Sequence, residues 1–216
     1  MSKSGIYADC IITDPPYMIN YSSRRSKDMD YRFKNTIRND NNRELIEQVM
    51  PLLNRILKKD GAIYMFCNDR NIDYFKREVE KYFRFKNLIV WDKAAHTAGD
   101  LKAQYAKRYE FIIYANKGRA KFNAGMKRYE DIWQFKRVAG KSQIHQNQKP
   151  VELIERMIAQ HTKKGELVLD AFSGSGTTAV AAIKTGRQFI GFEIDKNYFE
   201  AGEKRIQEIT KKEKEI

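Results

Sequence analysis

LVLDAFSGSGTTAVAAIKTGRQFIGFE (167–193) is the stretch whose reading decides the fold. LVLDAF (167–172) is apolar and branched, as a buried strand should be. Gly174 and Gly176 follow, where the backbone can turn sharply and let a ligand approach closely. Thr177–Thr185 fits a helix closed by Gly186, and QFIGFEI (188–194) fits the next strand. A helix N-terminus beside a glycine turn offers free N–H groups. Glu193 stands 19 residues after Gly174, about where an acid grips a ribose diol in nucleotide-binding strand–helix–strand units. Together these features point to a nucleoside cofactor. The run Gly174-Ser175-Gly176-Thr177-Thr178-Ala179 also leaves a dinucleotide open, because alanine can replace the third glycine.

Strand–helix alternation extends outward from this unit. A charged amphipathic helix is predicted over 196–212, and Pro150 should open a helix reaching about His161, standing at its first position. At the other end, IYADCIIT (6–13) reads as a buried strand stopped by Pro15-Pro16. Residues 20–42 lack periodicity and read as a long mobile loop. Leu45, Val49, Leu52, Leu53, Ile56 and Leu57 have helical spacing over 43–58, with Pro51 expected to kink or divide that helix. Asp60-Gly61 reads as a turn, AIYMFC (62–67) as a strand and 70–82 as a helix. NLIVW (87–91) and EFIIYA (110–115) make a β-hairpin around a basic loop, and 117–144 reads as irregular. The expected fold is a single α/β domain over 1–216: three layers, Rossmann-like, with a mostly parallel sheet.

Composition narrows the function. Apolar residues make up 42% and charged residues 32%, which excludes a disordered chain. No uncharged apolar run approaches the ~18 residues a membrane helix needs, and MSKSGIYADC lacks the apolar core of a secretory signal. Cys10 and Cys67 lie in apolar runs and read as small core residues of a reducing compartment, which places the protein in the cytoplasm. No Cys/His spacing fits a metal. The net charge of +13 is concentrated: residues 20–42 carry +3 and 102–141 carry +8. Charge confined to two segments suits a polyanion-binding surface, which points to nucleic acid.

Asp14-Pro15-Pro16-Tyr17 follows the first strand. Two prolines fix φ twice and force extended backbone before each ring. The turn rigidly presents a carboxylate, backbone carbonyls and an aromatic face. An exocyclic amine of adenine or cytosine is a poor nucleophile, because its lone pair is delocalised into the ring. Asp14 and the Pro15 carbonyl can hold its two hydrogens and localise that lone pair, while Tyr17 stacks on a base taken out of the duplex.

These motifs resemble the amino-group DNA methyltransferases that use S-adenosylmethionine. The DPPY motif precedes the glycine-rich motif, as in the permuted β-group. HQNQKP (145–150), DGAIYMF (60–66), LIVWDK (88–93) and YEFIIYANKG (109–118) are similar to further segments of that family. The resemblance implies a seven-stranded sheet with the cofactor over its carboxyl edge. Asp14, Pro15, Pro16 and Tyr17 would be catalytic. Asp170, Phe172, Gly174, Ser175, Gly176, Thr177, Glu193 and Lys149 would bind S-adenosylmethionine. DPPY favours the N6 of adenine in double-stranded DNA; N4 of cytosine and an inactive nucleic-acid-binding module are the alternatives. Arg24, Arg25, Lys27, Lys107, Arg108, Arg119, Lys127 and Arg128 are the expected DNA contacts, with target recognition in 94–108 and 117–144. Tyr129 and Trp133 are expected in local core rather than on a base. Three departures stand out. The strand that usually precedes DPPY is missing, Gln146 replaces a usual proline, and the recognition segments are short. Either the target is short or a homodimer extends it. A prokaryotic or phage-encoded enzyme, as in restriction–modification, is implied.

Overall fold

The computed structural model describes residues 5–18, 42–95, 102–103, 105–138 and 148–214, with side chains through residue 211. The elements are β1 (Ala8–Thr13), α1 (Arg43–Ile56), β2 (Leu57–Cys67), α2 (Ile72–Glu80), β3 (Arg84–Asp92), β4 (Tyr109–Asn116), β5 (Ile132–Gln134), α3 (Val151–His161), β6 (Leu167–Asp170), α4 (Thr177–Lys184), β7 (Gln188–Gly191) and α5 (Lys196–Lys214). The seven strands form one sheet in the order β5-β3-β4-β2-β1-β6-β7. β4 is antiparallel to both neighbours and every other pairing is parallel. β4 alone therefore runs against the rest.

Alternation along the strands builds two cores. On one face Ile11, Ile63, Met65, Cys67, Ile113, Ala115 and Leu169 pack against α1 and α2. On the other, Cys10, Ile12, Tyr64, Phe66, Ile112, Tyr114 and Val168 pack against α3 and α4. The expected three layers follow, and the two cysteines lie buried on opposite faces.

Three local readings change. Pro51 lies inside a continuous α1; the carbonyl it leaves unpaired belongs to exposed Glu47, where water can satisfy it. The buried stripe of α1 is Ile46, Met50 and Leu53, and Leu52 is exposed. Asp60-Gly61 does not separate two elements but lies inside β2. There the register jumps from Ala8–Leu57 to Cys10–Ala62, Asp60 takes a positive φ, and a Cβ on Gly61 would lie 2.9 Å from the Asp9 carbonyl oxygen. The extra residues are absorbed as a bulge. The stretch read as irregular contains β5, whose Trp133 is buried and faces Tyr64. Pro150 caps α3 rather than occupying its first turn.

β1 and β6 are adjacent, parallel and connected in opposite directions: β1 leads toward β2, β6 toward β7. In open α/β sheets this switch point opens a crevice at the carboxyl ends of the strands. DPPY leaves β1 there, and the glycine turn leaves β6.

Candidate active site

The carboxyl end of β1 delivers Asp14 into a compact group of charges. Tyr17 Oη donates to Asp14 Oδ1 at 2.6 Å. Lys149 Nζ, just before α3, sits 2.7 Å from Asp14 Oδ2 and 3.2 Å from Glu110 Oε2. Lys93, just beyond β3, pairs with the other oxygen of Glu110. The Lys149 side chain is only 7% exposed, and its ammonium lies over the ring of Phe66 at 4.8 Å. Asn71, before α2, donates to the Tyr17 carbonyl at 2.6 Å and anchors the end of the turn.

Burial pushes the Asp14 carboxyl above its usual range. The Lys149 ammonium opposes this, and neighbouring Glu110 reinforces it. Burial acts the same way on Glu110, but Lys149 and Lys93 outweigh it and hold this carboxyl at about 2. Lys149 stays protonated because two carboxylates override its burial. Burial and the Asp14 charge raise the Tyr17 phenol well above its ordinary value, so it remains a donor.

The glycine turn is braced from three sides. Gly176 caps α4 with φ 77°, and a Cβ there would come within 3.2 Å of Gly202 Cα on α5. Gly174 also has positive φ, with open space where its Cβ would be. Glu193 lies two residues past β7 and ties the turn to that strand. One oxygen accepts from Gly174 N and the other from Asp195 N, each at 2.8 Å. Arg205 of α5 donates to the Ser175 carbonyl at 2.6 Å and reaches the Ser175 and Thr177 hydroxyls at 3.3 Å. Asp170 is buried beneath the turn, accepting from Thr178 Oγ1 at 2.6 Å and Phe172 N at 3.1 Å.

That burial pushes Asp170 up to about 7. Its folded value thus lies above the ~3.9 of an exposed Asp. The stability this group contributes is full below pH ~4 and is lost as pH rises through about 7. An Asp170→Asn variant should therefore gain relative to wild type between pH 4 and 8. Denaturant melts showing a pH-independent difference would reject this account.

The structure thus brings Asp14, Tyr17 and Lys149 together at β1, and Asp170, Phe172, Gly174, Ser175, Gly176, Thr177 and Glu193 at β6 and β7. The basic residues divide. Arg108 forks onto Asp92, with contacts of 2.5 and 2.7 Å, and Lys107 pairs with Asp69, all at the carboxyl end of the parallel strands. Arg119, Lys127 and Arg128 are not brought there. Asp60, at the far end of the sheet, accepts from Arg119 N. Lys127 follows a segment wrapped on the C-terminal end of α3, and its carbonyl accepts from Gln160. The reason is the direction of β4, which carries the chain away from Asp14 as it runs from Glu110 to Asn116. Tyr129 packs under Arg156, whose guanidinium lies 4.3 Å above its ring. Arg24, Arg25, Lys27, Gln146 and His145 lie outside the described residues.

Four residues were missed: Glu110, Lys93, Asn71 and Arg205. Only Glu110 carried a signal, as a lone acid opening the otherwise apolar strand EFIIYA.

Residues 8–204 match a family model described as DNA methylase, of N6/N4 type. The Type II methyltransferase M2.MboI of Moraxella bovis is 31% identical, covering 94% of this chain and 81% of its own. DNA adenine methyltransferase YhdJ of Escherichia coli K12 is 28% identical, over 92% and 76%. Among solved structures, M1.HpyAVI in complex with SAM superposes with a TM-score of 0.74 at 30% identity, covering 95% of this chain and 91% of that one. The cytosine-N4-specific PvuII DNA methyltransferase gives 0.72 at 17% identity, over 95% and 84%, a likeness of fold alone.

Proposed function

The chain belongs to the N6/N4 DNA methylase family, and from that premise we propose that it methylates the N6 amino group of adenine in double-stranded DNA, with S-adenosylmethionine as donor. The observation that carries this reading is the meeting of Asp14-Pro15-Pro16-Tyr17 and the glycine turn at one switch point, on the adjacent strands β1 and β6. The acid at Asp14 and the adenine-specific relative YhdJ both support adenine over cytosine.

The donor set fits the cofactor. Each Glu193 oxygen uses one lone pair on a backbone N–H and keeps another for a ribose hydroxyl. The open space at Gly174 leaves the turn approachable. When bound, S-adenosylmethionine supplies an electrophilic sulfonium methyl. Asp14 accepts one hydrogen of the target amine and the Pro15 carbonyl the other, which localises the lone pair on nitrogen. Tyr17 stacks on the flipped base, a contact worth ~1–3 kcal/mol. Asp14, raised by burial, can hold the proton released from nitrogen before passing it to water. The nearly buried Lys149 and the rings of Phe66 and Trp91 beside it exclude water from this side.

Arg24, Arg25 and Lys27 on the 20–42 segment would clamp the duplex, and Lys107 and Arg108 face it from the catalytic end. The run 117–131 leads away from that end, so target reading falls to 94–108 and the residues after Gln134. This supports a short target unless a second copy adds its surface. Among the described residues no helix is long and apolar enough to cross a membrane, and the relatives are bacterial. A cytoplasmic enzyme of restriction–modification type fits both.

Mass spectrometry of nucleosides from DNA incubated with the protein and labelled cofactor tests the reading. N6-methyladenine is expected; N4-methylcytosine, or no transfer to DNA, would overturn it. Glu193→Ala should weaken cofactor binding more than DNA binding, since it removes the diol acceptor and releases Gly174 N. Calorimetry finding equal cofactor affinity would sink that role.

A further inference from the structure

In this structure both oxygens of Asp14 are taken, Oδ1 by the Tyr17 hydroxyl and Oδ2 by the Lys149 ammonium. An incoming amine can be held only if one of these donors withdraws. Both have the same second acceptor. Glu110 Oε2 lies 3.2 Å from Lys149 Nζ and 3.3 Å from Tyr17 Oη. Lys93 holds the other Glu110 oxygen and so fixes the carboxylate. The Glu110 side chain is 17% exposed, which leaves little water to substitute for it.

We infer that Glu110 is a positioning residue: it receives Lys149 and Tyr17 when the target amine displaces them from Asp14, so that the catalytic carboxylate opens without stranding a buried ammonium. The inference rests on the methyltransferase reading above. A buried ammonium without a carboxylate partner is costly. With Glu110 removed, Lys149 has only Asp14, and the site stays closed. Held at about 2, Glu110 is an anion at any assay pH and always available.

The test is Glu110→Gln in the full-length protein. The single-turnover rate of methyl transfer should fall of order 10–100-fold, the scale set by misplacement of a reacting group, while cofactor and DNA affinities hold. The acid limb of the rate should also move to lower pH, because the Glu110 charge helps to raise Asp14. Tyr17, Lys149 and Asp170 also face Asp14, with Lys93 and Cys67 behind them, and all are unchanged. A purely structural role would not move that limb. The double variant Lys93→Gln/Glu110→Gln leaves no unpaired Lys93 and should show the same loss and shift. Wild-type rates in Glu110→Gln, a loss without the pH shift, or recovery in the double variant would each overturn the inference. Wild-type protein that methylates no amino group in DNA would instead overturn the proposed function, so the two failures are distinct.

Discussion

Asp14→Ala is expected to lower methyl transfer by at least about 100-fold, the cost of losing alignment of a reacting group by about 1 Å. The carboxylate is the only side-chain acceptor the DPPY turn offers an amine. Its removal should leave the fold intact. Lys149 retains Glu110 at 3.2 Å, and the Tyr17 hydroxyl retains the same oxygen at 3.3 Å. The glycine turn is braced independently by Glu193, Arg205 and Asp170, so cofactor binding should survive. Single-turnover assays alongside calorimetry and thermal melting separate these quantities. A variant with near wild-type turnover would remove Asp14 from the mechanism. Asp14→Asn keeps one oxygen acceptor and the shape of the side chain, so it should fall between wild type and alanine.

Lys149→Met should produce the largest loss of stability, about 3 kcal/mol. That is the lower end of the range for breaking a buried pair, chosen because Asp14 keeps 27% of its side chain accessible. Two carboxylates would then face each other with Lys93 as the one remaining cation of the group. The sign with pH follows. Without Lys149 the folded-state values of both acids rise, above those of the unfolded chain for Asp14 and upward from about 2 for Glu110. Stability linked to a raised carboxyl is present at low pH and lost as pH rises through its folded value. The deficit of Lys149→Met should therefore shrink on acidification from pH 8 toward pH 5. A deficit constant across that range would mean that packing over Phe66 and Trp91, rather than charge, is what Lys149 contributes. The contrast with Glu110→Gln is useful, since that change removes an anion whose partners are two cations.

The motifs were legible in the chain because each encodes its own local geometry. Two prolines fix φ at a strand end whatever surrounds them, and Gly176 is needed wherever a strand must turn into a helix at φ 77°. Apolar runs at strand and helix spacing located the sheet, although the buried stripe of α1 came out rotated, through Ile46, Met50 and Leu53. A three-residue strand such as β5 carries too little pattern to be read, and its pairing with Val90, Trp91 and Asp92 comes from 40 or so residues away.

Sequence alone thus determined the class of fold, the order of its two signature turns and the residue types at each, because these depend on backbone preference within a few residues. Tertiary structure decided which of those residues share a site. Strand order brought β1 beside β6, although about 155 residues separate them. The reversal of β4 brought Glu110 to Asp14 and carried Arg119, Lys127 and Arg128 away from it. Lys149, Glu110 and Lys93 form one charge cluster only because three distant segments end at the same edge of the sheet. Coulombic partnership depends on distance in space, which spacing along the chain does not encode.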